Sequence, residues 1–272
     1  MKRIRRKKIE LSKNDLAIFR YLHFFRCARI DQIARDLFPH SNLKTLYWRL
    51  NKLVQLNYLH GKFSKFHGSK KILGITPKTF KEFIANGDEM RSELSSKSVD
   101  HDIDLVDVSK EITSSSSVTC YISENELRTW KPYTEEKNLE PAISLGSDAC
   151  IKATFPNGDF WIPLEYESSS KSVSRYKDHL YQIYNLLGVV AIFYVCKNNK
   201  VKSVIQSIEE KYHAKERPMI YYSTLEDLKQ NENITFTSRI GKVIKLGKRN
   251  ETNFTSRIAP DYSGALFLQE AN

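Results

Sequence analysis

The chain is poor in cysteine and has no long apolar run, and each absence excludes a class of protein. Its 272 residues include four cysteines, none in the CxxC spacing of zinc and redox sites, which are Cys27, Cys120, Cys150 and Cys196. We therefore expect buried, reduced thiols in a cytoplasmic protein and no disulfide framework. The longest nearly apolar run, Leu186 to Cys196, falls short of the ~20 residues that span a bilayer, so no membrane contact is expected.

Motifs of several common chemistries are missing as well. The sequence has no Gly-rich nucleotide-binding loop, no haem or zinc motif and no Ser/His/Asp arrangement, and its seven histidines lack the spacing of metal ligands. No Asp or Glu occurs between Ser41 and Lys81. A long segment that carries only basic charge is typical of a surface that binds a polyanion.

Positive charge is concentrated in the first third of the chain. The whole chain has a net charge of +11 and a pI near 9.3. Residues 1–87 hold 20 Lys and Arg against 5 Asp and Glu, whereas the remainder holds 23 against 27. The length suggests two domains, and we infer that the first of them, with its large positive charge, binds nucleic acid.

The first eight residues, MKRIRRKK, are a basic arm with three interpretations. The arm is a solvated disordered tail, a DNA-binding arm that follows phosphates or enters a minor groove, or a nuclear-targeting signal. In the second interpretation Arg3, Arg5 and Arg6 are the contacts. Because no apolar stretch follows the arm, we do not expect a signal peptide.

The order of elements in residues 1–87 predicts a winged helix-turn-helix. Two helices joined by a tight turn are typical of a helix-turn-helix, and a hairpin and a further helix follow them. The predicted elements are a helix from Ser12, a helix from Gln32 to Leu37 capped by Asp31, a helix from Asn42 to Asn57 capped by Ser41, strands from Tyr58 to Phe66 and from Lys71 to Ile75, and a helix from Thr76-Pro77 to Gly87. The charge of this fold favours DNA over protein as its ligand.

Polar and basic residues occupy the face of the third helix opposite its leucines. A recognition helix lays its N-terminal residues along base edges in the major groove. Arg49 and Asn42 have the bidentate donors and acceptors that suit guanine and adenine. Trp48 is predicted to be half-buried packing, with base stacking as the alternative. Besides the arm, the predicted DNA contacts are Asn42, Lys44, Thr45, Arg49 and Lys52 on the helix and Lys62, Lys65, Lys70 and Lys71 in the wing.

A predicted hairpin in the second domain brings acidic residues together. Its strands run from Cys150 to Phe155 and from Phe160 to Glu167, around the turn Pro156-Asn157-Gly158-Asp159. Because side chains alternate, Glu165 and Glu167 share one face of the second strand. Hairpin pairing can bring Asp148 beside Glu165, and two such carboxylates favour a divalent cation. Asp148 and Glu165 are therefore the predicted ligands of Mg²⁺ or Mn²⁺.

The remaining pattern predicts an α/β (α+β) domain with a mixed sheet flanked by helices. Trp130 to Pro141 is predicted to be a loop, and the run from Val189 to Cys196 a strand buried on both faces. The other predicted elements are helices from His101 to Ile112 and from Ser123, a strand from Val118 to Ile122, a helix from Val173 to Leu187, a helix from Val201 to His213, a strand from Met219 to Tyr222 and a helix capped by Ser223.

This pattern resembles the PD-(D/E)XK nuclease superfamily. Ser147-Asp148 stands for its Pro-Asp, and Glu165-Tyr166-Glu167 stands for its acid-X-Lys, with Glu167 in place of the Lys. The resemblance implies that the carboxylates hold magnesium and that a Lys helps to activate water. Lys177 or Lys171 of the following helix can supply that Lys; otherwise the fold persists without cutting DNA. The predicted catalytic residues are Asp148, Glu165, Glu167 and Lys177.

A closer resemblance is to the plasmid replication-relaxation family, which joins a winged helix to a divergent nuclease-like domain. It covers roughly Leu16 to Asp227, through His101-Asp102, Ser147-Asp148-Ala149, Glu165-X-Glu167 and the helix with Arg175 and Lys177. It implies a winged helix in residues 1–87, a linker in 88–100 and a nuclease-like domain in 101–230, followed by an extension in 231–272. In that extension Phe-Thr-Ser-Arg-Ile occurs twice, from Phe236 and from Phe254.

Three functions follow from these patterns. The first is a DNA-binding protein of a plasmid or mobile element, in replication, mobilisation or transcriptional control, with a catalytically silent second domain. The alternative is a metal-dependent DNA endonuclease that the winged helix targets. A third is an adaptor that contacts only protein. The expected partners are double-stranded DNA, a second copy of the chain and other replication or mobilisation proteins.

Overall fold

The computed structural model describes residues 10–64, 70–90 and 94–248, and it shows a mixed α/β protein with two sheets. Several predicted features lie outside these residues. They are the DNA contacts Arg3, Arg5, Arg6 and Lys65 and the second Phe-Thr-Ser-Arg-Ile copy.

The N-terminal part, residues 10–64 and 70–87, combines helices with a small antiparallel sheet. Its strands pair in the order β1-β3-β2. Its core holds Phe19, Leu22, Ile33, Leu50 and Leu53, each at most 1% exposed. The elements are α1 (Lys13–Phe24), β1 (Ala28–Arg29), α2 (Ile30–Leu37), α3 (Leu43–Gln55), β2 (Leu59–Ser64), β3 (Lys70–Ile75) and α4 (Pro77–Phe83).

Local signals account for most of the helix starts in this part. The predicted capping box of Ser12 and Asp15 begins α1, and Thr76 caps α4 with Pro77 in its first turn. Two predicted caps were wrong by one or two residues. Arg29, not Asp31, precedes α2. Asn42, not Ser41, caps α3, because its side chain accepts the backbone N–H of Lys44 at 2.9 Å.

A seven-stranded mixed sheet organises the second part, residues 94–248. Its order is β10-β9-β8-β7-β6-β5-β4, with β6, β7 and β8 parallel and the other neighbours antiparallel. The elements are α5 (Val99–Thr113), β4 (Val118–Ser123), α6 (Glu124–Thr129), α7 (Lys131–Glu135), α8 (Glu140–Leu145), β5 (Ala149–Phe155), β6 (Gly158–Glu167), α9 (Val173–Tyr184), β7 (Ile192–Cys196), α10 (Asn199–His213), β8 (Ile220–Thr224), α11 (Leu225–Gln230), β9 (Asn233–Ser238) and β10 (Val243–Lys248).

Helices cover both faces of this sheet, and β7 is buried on both sides as predicted. Ile192, Tyr194 and Cys196 pack with residues of α9 and α10. Phe193 and Val195 belong to the core on the other face, which includes residues of α5. The four cysteines are buried free thiols.

Two predictions about the second part were wrong. The segment from Trp130 to Pro141 is not a loop but contains α7, a 3-10 turn (Lys137–Leu139) and the start of α8. Pro132 and Pro141 lie in the first turns of α7 and α8, where proline's missing N–H costs nothing, so these prolines start helices. The sheet also continues past residue 230 into β9 and β10.

The two parts share one apolar core and several polar contacts. The carboxylate of Glu126 lies 3.0 Å from His23 Nδ1, and Arg26 pairs with Glu124 at 2.7 Å. The predicted linker is attached to the second part, since Met90 N–H donates to the carbonyl of Thr129 at 2.8 Å. Within the described ranges, no helix has the length and apolar character needed to cross a membrane.

Candidate functional site

The hairpin of β5 and β6 brings the predicted acids to one edge of the sheet. Ala149 pairs with Leu164, so Asp148, just before β5, lies opposite Glu165. The backbone N–H of Tyr166 donates to Asp148 Oδ2 at 2.7 Å and fixes the position of that carboxylate. Asp148, Glu165 and Glu167 all line one cavity of about 230 Å³.

The other charged or titratable residues of this cavity lie on helices or, in the case of Lys171, just before one. His101 comes from the first turns of α5, Lys171 precedes α9, and Arg175 and His179 lie one turn apart on α9. The cavity is thus lined by carboxylates on the sheet and by basic or titratable groups on the helices. Such an arrangement can hold a polar or charged ligand between groups of opposite sign.

Lys171 lies beside Glu167, the residue that replaces the lysine of the acid-X-Lys pattern. Glu167 is only 2% exposed, and its Oε2 lies 2.7 Å from Lys171 Nζ. The ion pair neutralises the buried negative charge that Glu167 brings to the cavity. A lysine therefore stands beside Glu167 although the tripeptide itself lacks one.

Lys177, the predicted catalytic lysine, lies elsewhere. Arg175, Tyr176 and His179 of α9 line the cavity and Lys177 does not. Lys177 is two residues from Arg175 and from His179, so it projects from another side of the helix. Its exposed side chain instead reaches Tyr212, with Nζ 5.0 Å from the ring centroid. The structure thus separates the two lysines that the sequence left as alternatives.

His101 was not predicted as a site residue, although His101-Asp102 was noted as the start of the domain. Its Nε2 lies 3.2 Å from the carbonyl of Tyr166 and 3.4 Å from Asp148 Oδ2. Burial by itself would lower the pKa of His101, but Asp102 and Asp148 outweigh it and raise this pKa to about 11. An imidazolium therefore stands beside Asp148 at neutral pH.

Glu165 is the most perturbed acid of the cavity. Burial and the charge of Asp148 raise its pKa to about 8. Its Oε1 is buried without a hydrogen-bond partner among the described residues. The nearest basic group at the other oxygen is His179, whose Nε2 lies 3.8 Å from Oε2. Burial and Lys171 lower the pKa of His179, so this imidazole gives Glu165 little positive charge.

Two carboxylates of the cavity are the oxygen donors that a magnesium or manganese ion would require. Asp148 and Glu165 lie opposite each other, and Glu165 Oε1 has no hydrogen-bond partner among the described residues. The described residues contain no group of three or more His, Cys, Asp or Glu arranged to hold a metal. A cation here would therefore keep several waters, as Mg²⁺ commonly does, and would displace the proton of Glu165.

The raised pKa of Glu165 predicts a pH-dependent stability. Since this pKa of about 8 exceeds the ordinary value of 4.5, the stability that the proton provides is full below pH 4.5 and is lost as pH rises through 8. Glu165→Gln is expected to match the wild type near pH 5 but to exceed it by about 2 kcal/mol near pH 9, which raises Tm by about 4–8 °C.

Thermal melts by circular dichroism at both pH values measure this difference. Glu232→Gln, which changes an exposed glutamate, is the matched control and should alter neither melt. Equal melting temperatures of the wild type and Glu165→Gln near pH 9 would contradict the raised pKa of Glu165.

A second candidate surface is the exposed side of α3 with the β2–β3 hairpin. Lys44 and Thr45 of α3 and Lys62 of β2 are exposed, and Lys52 is half-buried. Lys70 pairs with Asp31 at 2.8 Å, and Lys71 donates to the side chain of Asn51. The structure thus brings one predicted lysine of the wing, Lys71, into contact with α3.

The two residues predicted to read bases bidentately have partners within the protein. Arg49 Nε donates to Asp15 Oδ1 at 2.8 Å, and its Nη2 donates to Asp15 Oδ2 and to the carbonyl of Glu10. Asp15 is buried, which opposes its ionisation, but the bonds from Arg49 and Ser12 lower its pKa. The Asn42 side chain caps α3. Both groups would have to leave these contacts before they could bind a base.

Aromatic residues of this surface are more exposed than the sequence indicates. Trp48, predicted to be half-buried, is 65% exposed, and Leu43, counted with the apolar face of its helix, is 62% exposed. Only Leu46, Leu50 and Leu53 of α3 are buried, which leaves a narrow apolar stripe. Tyr47 is 45% exposed and Phe63 of β2 is 70% exposed.

The structure thus has two candidate sites, an acidic cavity in the second part and a basic, aromatic surface in the N-terminal part. Comparison with protein-family models, with curated proteins and with solved structures finds no match to the chain.

Proposed function

We propose that the protein binds DNA through α3 and the β2–β3 hairpin, and that it acts in replication, mobilisation or transcriptional control of a plasmid or mobile element. The order α1, β1, α2, α3, β2, β3 supports a winged helix-turn-helix in the N-terminal part. The plasmid context comes from the family resemblance of the sequence. A second copy of the chain and other replication or mobilisation proteins remain predicted partners.

One observation carries the DNA-binding proposal, which is that the segment forming α3 and the hairpin contributes no acidic side chain to this surface. The whole segment between Ser41 and Lys81 has no Asp or Glu. The nearest acids of the preceding helices, Asp15 and Asp31, are paired with Arg49 and with Lys70. The positive charge of Lys44, Lys52 and Lys62 is therefore not offset locally, which favours phosphates.

Removal of these three lysines tests the proposal. The variant Lys44→Ala/Lys52→Ala/Lys62→Ala is expected to bind DNA at least about tenfold more weakly at low salt. The slope of log K against log[salt] should fall by about 2–3, because each phosphate contact contributes about 0.9. Fluorescence anisotropy over a salt series measures both quantities.

A charge-matched control separates this surface from overall charge. Lys200→Ala/Lys215→Ala/Lys229→Ala removes the same charge from exposed positions of the second part. Its affinity and its salt slope should stay close to those of the wild type. Equal losses in the two variants would reduce the binding to a general attraction, and absence of binding at low salt would refute the proposal.

The second candidate function is a metal-dependent DNA endonuclease. The specific observation in its favour is Lys171, which compensates Glu167 in the cavity that also holds Asp148 and Glu165. The succession of α5, three strands β4 to β6, α9 and β7 also supports a PD-(D/E)XK-like second part. The order has an insertion of α6, α7 and α8 between β4 and β5.

Each residue has a defined role in this candidate function. Asp148 and Glu165 would hold Mg²⁺ or Mn²⁺, which supplies Lewis-acid stabilisation of the negative charge that develops on the phosphate. Lys171 orients a water and exchanges protons with it from its position over Glu167. His101 holds Asp148 in place through its contact with Oδ2.

A further inference from the structure

We propose that the exposed aromatic side chains of the α3 and β2 surface stack on unpaired bases, so that its preferred ligand is single-stranded DNA or a duplex with a single-stranded segment. This preference rests on the DNA-binding function proposed above and specifies its substrate class.

The groups that would read an intact duplex are engaged in the fold. Arg49 is bound to Asp15 through two nitrogens, and the Asn42 side chain caps its own helix. In a duplex, direct readout relies on such bidentate groups at base edges. The surface instead presents aromatic rings and lysines, which are the components of single-strand binding sites.

Trp48 and Phe63, the two most exposed rings of this surface, flank one contact between α3 and the β2–β3 hairpin. Trp48 and Asn51 are three residues apart on α3 and therefore lie on the same side of it. The side chain of Asn51 accepts a hydrogen bond from Lys71 Nζ. Lys71 is directly opposite Phe63 in the β2–β3 pair, so both side chains project from the same face of the hairpin.

Gly61 makes this contact between the hairpin and the helix possible. A Cβ at Gly61 would come within 2.7 Å of Lys71 Cε, so the lysine chain lies directly over the glycine. Lys71 crosses β2 at this point to reach α3, which places Phe63 and Trp48 along one continuous surface. A strand residue with a side chain at position 61 would displace the lysine.

Charge complementarity selects a polyanion as the occupant of this aromatic surface. Lys44 lies one helical turn before Trp48, and Lys71 projects from the same face of the hairpin as Phe63. No acidic residue occurs between Ser41 and Lys81. Single-stranded DNA offers base faces for the rings and phosphates for the lysines, whereas a duplex conceals its base faces within the stack.

The variant Trp48→Ala/Phe63→Ala tests this inference by anisotropy with a labelled oligo-dT strand and with a duplex of equal length. Loss of one base–aromatic stack weakens binding by roughly 5- to 150-fold. We expect at least about a tenfold loss for the single strand and less than about threefold for the duplex. Both rings are exposed, so the melting temperature should not change.

Tyr181→Ala removes an equally exposed ring from the second part, at 64% exposure, and should change neither affinity. Quenching of tryptophan fluorescence by the single strand should be reduced in Trp48→Ala, since Trp130 is buried and Trp161 is half-buried in the second part.

The outcomes separate this inference from the proposed function. If Trp48→Ala/Phe63→Ala binds the single strand as the wild type does, or if both ligands are weakened equally, the stacking inference is overturned. Duplex binding that depends only on the three lysines would then leave the DNA-binding function intact. A wild type that binds neither ligand overturns both.

Discussion

If the protein is the metal-dependent endonuclease of the second candidate function, we expect Lys171→Ala to reduce magnesium-dependent cleavage of DNA by at least about 100-fold, and Lys177→Ala to change it by less than about twofold. Only Lys171 lines the cavity with Asp148 and Glu165, and only its Nζ contacts Glu167. Lys177 projects to Tyr212 instead. Both substitutions replace a lysine with alanine, at positions six residues apart, so each variant is the control of the other.

Further variants distinguish proton transfer from electrostatics. Lys171→Arg keeps the positive charge beside Glu167 but holds its proton permanently, so cleavage that survives this change would assign Lys171 an electrostatic role. Asp148→Asn should abolish cleavage by loss of a metal ligand. Melting temperatures must accompany these assays, because Lys171→Ala leaves the buried Glu167 without its partner.

A wild type that binds DNA but does not cut it with Mg²⁺ or Mn²⁺ would contradict the endonuclease. It would leave a DNA-binding protein with a silent nuclease-like part, which is the first of the three functions that the sequence predicts. Cleavage that both lysine variants retain would instead show that the cavity does not act through Lys171.

We expect Arg35→Ala to lower the free energy of unfolding by about 2–3 kcal/mol and the melting temperature by about 5–10 °C, the largest loss of stability among the proposed variants. Arg35 Nη1 lies 2.7 Å from Asp107 Oδ1 of α5, and its Nε lies 2.6 Å from Asp36 Oδ1. The Asp36 side chain is fully buried, with Tyr21 donating to it at 2.7 Å. Without the arginine, two neighbouring carboxylates would lose their main counter-charge. The Arg35 side chain is 40% exposed, so we expect less than the full cost of a buried ion pair.

Two variants control this prediction. Lys131→Ala breaks an exposed pair with Glu135 and should cost less than about 0.5 kcal/mol. Adding Asp107→Asn to Arg35→Ala should restore part of the loss, because it removes a carboxylate whose remaining cation, Arg29, lies 3.7 Å away. Two separate thermal transitions in the wild type would contradict the cooperative unfolding of the N-terminal and second parts that their shared core implies.

Local patterns were sufficient for much of the secondary structure. The capping box at Ser12, the hairpin of β5 and β6 and the apolar run that became β7 each depend on residues close together in the chain. The missed elements lack such signals. β1 has only two residues, and its pairing partner β3 begins some forty residues later. The segment from Trp130 to Pro141 was predicted to be a loop, although its two prolines lie where α7 and α8 begin.

The sequence by itself indicated that Asp148 and Glu165 can meet, because one tight hairpin joins their strands. The turn is Pro156-Asn157 alone, shorter than predicted, and it sets the register that puts Asp148 opposite Glu165. Only the tertiary structure decided which groups surround them. His101 reaches Asp148 because α5 packs on the sheet, and Lys171, in the segment before α9, reaches Glu167, whereas Lys177 of α9 projects to Tyr212. The tertiary structure also pairs Arg49 with Asp15 and leaves Trp48 exposed. Periodicity indicates which side of an element is apolar, but the partner of each polar group depends on contacts between segments far apart in the chain.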